Sequence, residues 1–230
     1  MLEIPLILSK MYMLAQMTVC PMPDYIPEVD VEFRTSKPEY VTAVPIKSLT
    51  EAMKGNKDAT HLTESSSKWR VFGMTEGVLG GGNYRVSYMT KTDQTGQRCI
   101  YVDRVKMLIT YTPTIFIGKE LQTSECHFKV TKLHEERHVA TDLKVIKEYL
   151  PKIKMEILWY LRGVGGQGPF PQYETDKNAK RIIDEVVAYV RPMVEKMIET
   201  KRARQSDIDT VENYKYESGL CPGDAPKIDP

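Results

Sequence analysis

Hydrophobic and polar residues alternate over short runs in the first half of the chain, between residues 29 and 118. Runs rich in β-branched and aromatic residues, separated by turn residues, are typical of half-buried antiparallel strands. The predicted strands are VDVEFR (29–34), YVTAVPI (40–46), KWRVFGM (68–74), NYRVSYM (83–89) and CIYVDRVKMLITYT (99–112). The segments NKDATHLTESSSK (56–68) and VLGGGN (78–83) are predicted as loops, and TKTDQTGQR (90–98) as a hairpin turn.

From Ser124 onward the pattern changes to helical spacing. Ser124 suits an N-cap and Pro151 predicts an end or a kink, so one long helix is expected over 124–150. A second helical run, IKMEILWYLRG, ends near Gly163, and GVGGQGPFPQ is expected to form an irregular loop. The last long helix is predicted to start near Thr175 or Asp176 and to bend at Pro192. Its apolar face is built by Ile183, Val186, Val187, Val190, Val194, Met197 and Ile198.

These elements predict an α+β fold in one compact domain over residues 25–222, β-rich from 29 to 118 and helical from 124 to 204. A chain of 230 residues with 41% apolar content is long enough to bury one sizeable core. Residues 1–24 are interpreted as an N-terminal extension or a degenerate signal segment, because polar residues interrupt their apolar run. Residues 223–230 are expected to be a flexible tail.

Charge and cysteine content restrict the function classes. Lys and Arg number 32 against 31 Asp and Glu, so no global field favours nucleic acid or anionic lipid. No segment reaches the roughly 20 uncharged apolar residues that a membrane-spanning helix needs. The cysteines, which form no zinc-knuckle spacing, fit either two disulfides in an oxidising compartment or four free thiols in a cytosolic protein. They are Cys20, Cys99, Cys126 and Cys221.

The segment HEERH, residues 134–138, matches the pattern HExxH and lies in the predicted long helix. Residues four apart share one helix face, so the imidazoles of His134 and His138 are predicted to bind one Zn²⁺. Glu135 is predicted to be the general base, because it would lie beside a water whose pKa the metal lowers to near 7. The structural alternative is a solvated helix face carrying charged residues. We interpret the motif as a zincin-type hydrolase site.

A catalytic zinc needs a third protein ligand, and spacing alone does not select one. The continuation HVATDLK lacks the glycine and third histidine of the longer motif HExxHxxGxxH. Asp142 is two turns from His134, about 12 Å along a helix, too far to share a metal, so it is predicted either to orient His138 or to be a solvated acid. His127 and His61 are expected to be a packed and a surface histidine. Candidates from the later helices are Glu174, Asp184, Glu185, Asp209, Glu212 and Tyr214.

Three segments resemble a bacterial family of predicted secreted zinc-dependent proteases, classed as a domain of unknown function. They are the cysteine-led strand CIYVDRVKMLITYT, the helix ELQTSECHFKVTKLHEERHV, and QSDIDTVENYKYES (205–218), where the family has an aspartate followed by a Thr-x-His-Gly pattern. The closing histidine is absent here. If it completes the family's metal site, the resemblance implies Glu212 or Tyr214 as the third ligand, ahead of Glu174 and Glu185. Tyr214 would then bind metal or donate to an oxyanion.

The motif and the resemblance together predict a zincin-like α+β domain: a twisted antiparallel or mixed sheet, an HExxH helix, and further C-terminal helices. The expected activity is that of a zinc metalloprotease on a peptide or protein substrate. The alternatives are an inactive zincin-like interaction module and a zinc hydrolase of non-peptide amides such as cell-wall material. The resemblance implies secretion or a bacterial periplasmic location, with a cytoplasmic one left open.

Overall fold

A computed structural model describes residues 20–54 and 70–223. The predictions for residues 1–19, for the whole loop 56–68 with His61, and for residues 224–230 of the tail therefore lie outside the described residues. The strands are β1 (Glu28–Thr35), β2 (Glu39–Val41), β3 (Gly73–Thr92), β4 (Arg98–Ile117) and β5 (Gln167–Phe170). The helices are α1 (Ile46–Lys54), α2 (Glu125–Val164), α3 (Thr175–Ser206) and α4 (Val211–Gly219). The predicted α+β class is confirmed.

Two predicted interruptions are wrong. The glycine run at 78–83 does not form a loop, because β3 passes straight through it. A side chain at Gly80 would lie 2.3 Å from Thr110 Oγ1, so glycine is what lets the strand lie this close to β4. Pro151 does not end the long helix, because α2 continues to Val164. Pro151 is exposed, so water can satisfy the carbonyl group that the missing N–H would have served.

Three shorter elements also differ from the sequence prediction. The strand predicted over 40–46 is shorter, and its end becomes the start of α1. The segment after Gly163, expected to be irregular, contains β5. The C-terminal region contains α4, which was not predicted and begins at a Thr210 N-cap whose hydroxyl accepts from the Asn213 N–H. The predicted hairpin turn is confirmed between β3 and β4, where Gly96 has φ of 81°.

The chain divides into two compact units, each built from separate stretches of sequence. Among the described residues, unit 1 contains 20–30, 84–106 and 155–190, and unit 2 contains 31–54 with 70–83, 107–154 and 191–223. The four longest elements, β3, β4, α2 and α3, contribute residues to both units. The division is not visible in the sequence, because the boundaries between the units fall in the middle of these helices and strands rather than in linkers.

In unit 2 the sheet packs its apolar face inward. Odd-numbered residues of β4 from Met107 to Ile117 are buried, with even-numbered ones at least partly exposed, as expected for a strand with one covered face. β2 pairs in parallel with Thr114, Ile115 and Phe116 of β4. The buried side chains of this unit include Ile46, Leu49, Ile109, Tyr111, Ile115, Ile117, Leu121, Val145, Ile146 and Ile153.

In unit 1 the start of β4 pairs with β5 in antiparallel orientation. Helix segments from α2 and α3 supply its other apolar side chains, spaced three and four residues apart. The buried residues are Val29, Ile100, Tyr101, Val102, Val105, Ile157, Leu161, Ala179, Ile182, Val186 and Val190, with Cys20 and Cys99. No polar cluster comparable with that of unit 2 is buried among the described residues of this unit.

The four cysteines form two disulfides, one inside each unit. Cys20 bonds to Cys99 in unit 1, and Cys126 bonds to Cys221 in unit 2. Such pairing is compatible with an oxidising, extracellular type of environment. Within the described ranges, no helix is both long and apolar enough to cross a membrane.

Candidate metal centre

Two histidines and an aspartate of unit 2 bring one donor atom each to a common point. His134 and His138 lie one turn apart on α2, so both rings project from the same face, and their Nε2 atoms are 3.0 Å apart. The Oδ1 atom of Asp209 is 3.1 Å from each of these nitrogens. Both histidines are buried, at 3% and 6% exposure. This is a group of ligand atoms that could hold a metal ion.

The donor set fits Zn²⁺. Ligands that bind zinc tetrahedrally at about 2.0–2.2 Å are separated from each other by roughly 3.3–3.5 Å, and the observed separations of 3.0–3.1 Å are slightly shorter. Two imidazole nitrogens and one carboxylate oxygen leave a fourth position open, as catalytic zinc sites do. The same side chains also form a buried salt-bridged cluster, since Asp209 pairs with both rings.

Asp209 is placed by the sharp connection between α3 and α4. The N–H groups of Ile208 and Asp209 both donate to the Gln205 carbonyl, at 3.0 and 3.3 Å, which closes the end of α3. The next residue, Thr210, caps α4. The turn therefore ends one helix and starts another within four residues, and it holds the Asp209 side chain between them.

Helix α4 supplies two side chains around His134. Tyr214 donates from its hydroxyl to Asp209 Oδ1 at 2.7 Å, and its ring centroid lies 5.1 Å from that of His134. Glu217, one turn later, approaches the outer nitrogen of His134, with Oε2 at 2.9 Å from Nδ1. Arg137 forms an ion pair with the same carboxylate. A carboxylate behind a metal-binding imidazole keeps the proton on the outer nitrogen and leaves the inner one free to bind.

The outer nitrogen of His138 faces an amide rather than an acid. His138 Nδ1 is hydrogen-bonded to the side-chain oxygen of Gln205. The Gln205 amide nitrogen donates to the His138 carbonyl at 3.0 Å and to Asp142 Oδ1. Asp142 also accepts from Tyr111 at 2.6 Å and from Lys201 at 2.9 Å. Asp142, predicted to orient His138, therefore reaches it only through Gln205.

Glu135 is buried beneath β3. Its Oε2 atom accepts from the Thr75 hydroxyl at 2.8 Å. A side chain at Gly73 would lie 2.6 Å from Glu135 Oε1, and one at Gly77 would lie 2.6 Å from the Tyr111 hydroxyl. Residues 73, 75 and 77 share one face of the strand. This face of β3 thus leaves space for the side chains of Glu135 and Tyr111, and its Thr75 hydroxyl donates to Glu135.

Burial and neighbouring charge shift the proton affinities within the group. Burial is the largest influence on Glu135 and raises its pKa, although the charges of His138 and His134 lower it. Burial lowers the pKa of His138, but the hydrogen bond and charge of Asp209 outweigh it, so the net pKa is raised. A carboxyl group with a raised pKa is better matched to proton transfer near neutral pH.

Asp209 and Tyr214 are shifted in opposite directions. Burial would raise the pKa of Asp209, but hydrogen bonds from His134 and His138 lower it further than burial raises it, so it lies below the usual range. Burial, followed by the negative charge of Asp209, raises the pKa of Tyr214. Asp209 is therefore an anionic acceptor and Tyr214 a neutral donor.

The group opens into a cleft of unit 2 with a volume of about 740 Å³. Its walls combine the polar group with apolar side chains from α1, from β3 and the two residues before it, and from α2 and α3. The apolar lining consists of Met53, Val71, Phe72, Met74, Leu79, Val130 and Ile198. A mostly apolar cleft with a few convergent polar groups is the usual form of a ligand site.

The structure brings together only some of the residues singled out in the sequence. His134, Glu135 and His138 converge, and the side chain that completes the candidate ligand set is Asp209. Tyr214 contacts Asp209 through its hydroxyl group. Glu212 is exposed in the first turn of α4. Glu174, Asp184 and Glu185 belong to unit 1 and are not in the group, and Glu185 pairs with Arg181 at 2.5 Å. His127 lines the cleft, with Nδ1 3.0 Å from Ser124 Oγ.

Sequence reasoning missed Gln205, Glu217 and Thr75 entirely. A signal existed for Glu217: recognising Thr210 as an N-cap predicts a short helix, on which Tyr214 and Glu217 fall three residues apart on one face. No comparable signal exists for Gln205 or Thr75, because their roles depend on contacts with residues more than 50 positions away.

Searches with family models, against curated proteins and against solved structures found no match for this chain.

Proposed function

We propose that this chain is a zinc-dependent hydrolase of the zincin type that cleaves peptide bonds. The observation that carries the proposal is the mutual approach, at 3.0–3.1 Å, of His134 Nε2, His138 Nε2 and Asp209 Oδ1. Glu135, buried in the same cleft, supports a hydrolytic role. Two ligands and a base come from one helix, and the third ligand comes from the turn after α3.

Zinc bound there would supply a Lewis acid that polarises a carbonyl oxygen and acidifies water. The chain's own residues then handle the protons. Glu135, whose carboxylate accepts from Thr75, would take a proton from the attacking water and return it to the leaving amine. Tyr214 keeps its proton and holds Asp209 in place.

A peptide substrate fits the edge of β3. Among the described residues, only β4 pairs with β3, and no described strand pairs with its other edge. The segment 73–79 of this strand lines the cleft. An extended peptide can add to such an edge through main-chain hydrogen bonds. The apolar lining would receive apolar substrate side chains beside the scissile bond.

Two histidines and a carboxylate also bind iron(II) in some oxygenases. The buried Glu135 favours hydrolysis, because a base beside the metal is what activation of water requires. The alternatives predicted from the sequence, an inactive interaction module and a hydrolase of cell-wall amides, are outcomes of the test below. Secretion is proposed on the basis of the two disulfides.

The proposal is tested by Glu135→Gln, with Glu136→Gln as a matched control. Both changes convert a carboxylate of the same motif to an amide, but Glu136 is on the surface and accepts from Tyr40 at 2.6 Å. Hydrolysis of unstructured peptides should fall by about 10²–10⁴-fold in E135Q and stay near the unmodified rate in E136Q. Peptidoglycan is assayed in parallel.

Zinc content is measured on protein purified without added metal. Stoichiometric zinc with loss of peptide hydrolysis in E135Q supports the peptidase. Hydrolysis of peptidoglycan without hydrolysis of peptides would contradict the peptidase and support the alternative, a hydrolase of cell-wall amides. Iron in place of zinc, or no metal and no hydrolysis in the unmodified chain, contradicts it.

A further inference from the structure

We propose that the cleft of unit 2 binds an extended peptide segment of about seven residues, cleaves it near the middle, and prefers bulky apolar side chains towards both ends of the segment. The chain is then an endopeptidase for unfolded, apolar stretches of protein rather than an enzyme that removes terminal residues. The inference depends on the proposed function and names its substrate class.

The strand and the helix that line the cleft run side by side in the same direction. Neighbouring residues pair them in order: Phe72 with His127, Thr75 with Glu135, and Gly77 with Asp142. Position numbers rise together along both elements. The strand and the helix therefore measure the same cleft from one end to the other.

Both elements give the cleft the same length. Between Phe72 and Leu79 the strand side is about 23 Å long. Between His127 and Asp142 the helix side is about 22 Å long. An extended peptide of about seven residues has this length.

The candidate metal group lies near the middle of this length. On the helix, the midpoint between His134 and His138 is about 13 Å from His127 and about 9 Å from Asp142. The strand agrees, because Thr75, which donates to the base at 2.8 Å, is three positions from one end and four from the other. The scissile bond therefore has room for about three or four peptide residues on each side.

The charges beside the metal group do not favour capture of a chain end. Such capture requires an uncommitted charged group close to the reacting bond. Two cations beside the group are paired inside the protein, Arg137 with Glu217, and Lys201 with the buried Asp142 at 2.9 Å. Internal cleavage of a longer chain suits this cleft better than removal of terminal residues.

The middle of the strand offers main-chain groups for binding a peptide. The Phe72 carbonyl accepts from the Gly118 N–H at 2.8 Å, so the main-chain groups of Phe72 face β4. Main-chain direction alternates along a strand, so the N–H and C=O groups of Gly73, Thr75 and Gly77 face the other edge. Hydrogen bonds to these groups do not depend on the side chains of the peptide. The middle of the cleft should therefore accept many sequences.

Bulky apolar side chains lie mainly towards the two ends. Between Phe72 and Leu79, Met74 is the one apolar residue of the strand that lines the cleft. At the first end the Phe72 ring meets the His127 ring edge-on, with centroids 6.4 Å apart. Val130 follows His127 by three positions and also lines the cleft. This end therefore offers an aromatic and an aliphatic surface.

The second end is built from β3 and α3. Leu79 follows Gly77, which lies against Asp142. Ile198 is three positions before Lys201, whose ammonium group pairs with the same aspartate. Leu79 and Ile198 therefore lie towards the same end of the cleft. A bulky apolar side chain that leaves water for either end should raise affinity by about 10-fold.

The first test varies the peptide and leaves the chain unmodified. Peptides of glycine and alanine are acetylated and amidated, so that they have no charged end, and are made in lengths on both sides of about seven residues. The ratio kcat/KM should rise up to that length and then level off. Leucine near either end should raise kcat/KM by about 10-fold. Mass spectrometry should find the cut near the middle.

The second test removes one end of the cleft at a time. Leu79→Ser should abolish the leucine preference at one end of the peptide, and Val130→Ser should abolish it at the opposite end. The matched controls are Val78→Ser and Leu133→Ser, which change neighbours that are 57% and 53% exposed and are not among the residues that line the cleft. Both controls should keep both preferences. If a cleft variant does not fold, the peptide series on the unmodified chain still decides.

Binding is measured separately from hydrolysis. Fluorescence anisotropy follows the same blocked peptides, carrying a dye, on zinc-loaded Glu135→Gln, which is expected to bind without cleaving. Leucine preference there, with no hydrolysis by the unmodified chain, would support the apolar ends and contradict the proposed function. Hydrolysis restricted to peptides with free ends, hydrolysis without leucine preference, or equal losses in Leu79→Ser and Val78→Ser would overturn the inference while the proposed function stands.

Discussion

The two compact units share their longest elements but bury different kinds of side chain. Where α2 belongs to unit 1, it buries Ile157 and Leu161. Where the same helix belongs to unit 2, it also buries a polar series along one face. This series consists of Thr131, His134, Glu135, His138 and Asp142. Within this one continuous helix, only the part in unit 2 buries a series of polar groups, and burying them costs free energy.

That cost is offset only where partners are supplied, and the partners in unit 2 come from four other elements. β3 provides Thr75, β4 provides Tyr111, α3 provides Gln205 and Lys201, and α4 provides Glu217. An apolar core such as that of unit 1 needs no such hydrogen-bond partners. Such a concentration of buried titratable groups is typical of functional sites. The comparison therefore supports unit 2 as the location of the proposed site.

The largest expected effect separates the third ligand from its neighbours. Asp209→Asn should weaken zinc binding by roughly 10³-fold, about 4 kcal/mol, because an amide oxygen is a weaker ligand than a carboxylate and does not offset the charge of the ion. Glu212→Gln is the control: it changes another acid of the same segment, one that is exposed. Isothermal titration with Zn²⁺ measures both. Equal affinities in the two variants would exclude Asp209 as a ligand.

The two disulfides give the next effect. Replacing either pair with serine should lower the free energy of unfolding by about 2–4 kcal/mol, because each closes a long loop. Only loss of Cys126–Cys221 should also reduce zinc affinity, by about 10-fold. That bond joins the first turns of α2 to the chain just beyond α4, the helix that carries Tyr214 and Glu217. Urea unfolding and zinc titration of both double variants check this.

The Cys20–Cys99 variant serves as the reference in that comparison. This bond packs with Tyr101 and Tyr25 in unit 1, whereas His134, His138 and Asp209 belong to unit 2. Zinc affinity in this variant should equal that of the unmodified chain. A matching loss of affinity in both variants would mean that the disulfides act on general stability rather than on the site.

The smallest effect comes from two glycine substitutions. Gly73→Ala should destabilise the chain by about 1–3 kcal/mol and slow hydrolysis, since the new methyl group would lie 2.6 Å from Glu135 Oε1 and from Thr131. Gly163 lies in the unit 1 part of α2, and a methyl group added there by Gly163→Ala would meet no neighbouring side chain within 4 Å. It should stabilise by about 0.5–1 kcal/mol. Thermal unfolding and steady-state rates measure these, and a harmless G73A would contradict the close packing of Glu135.

The sequence predicted what depends on local spacing. The four-residue repeat placed His134 and His138 on one helix face, and alternation along β4 marked its buried side. Elements that rely on distant contacts were not predictable in this way. The glycine run of β3 continues as a strand because Thr110 of β4 lies against it, and α2 passes Pro151 because that position faces water.

The candidate metal group, His134, His138 and Asp209, shows the same contrast between residues predicted from local spacing and residues that depend on distant contacts. Its two histidines and its base are encoded within five residues, but Asp209 lies 71 residues beyond His138. Six polar residues of the later helices were equivalent candidates by spacing. Only the turn that ends α3 and the Thr210 cap that starts α4 distinguish Asp209, and these act through backbone geometry. Gln205 is distinguished by its contacts alone.

A crystal structure of zinc-loaded protein, with anomalous diffraction at the zinc edge, would show whether these three side chains hold a zinc ion. One strong peak is expected in unit 2, within about 2.0–2.2 Å of His134 Nε2, His138 Nε2 and an Asp209 carboxylate oxygen. No peak at this point, with the three side chains still paired as a salt-bridged cluster, would contradict it.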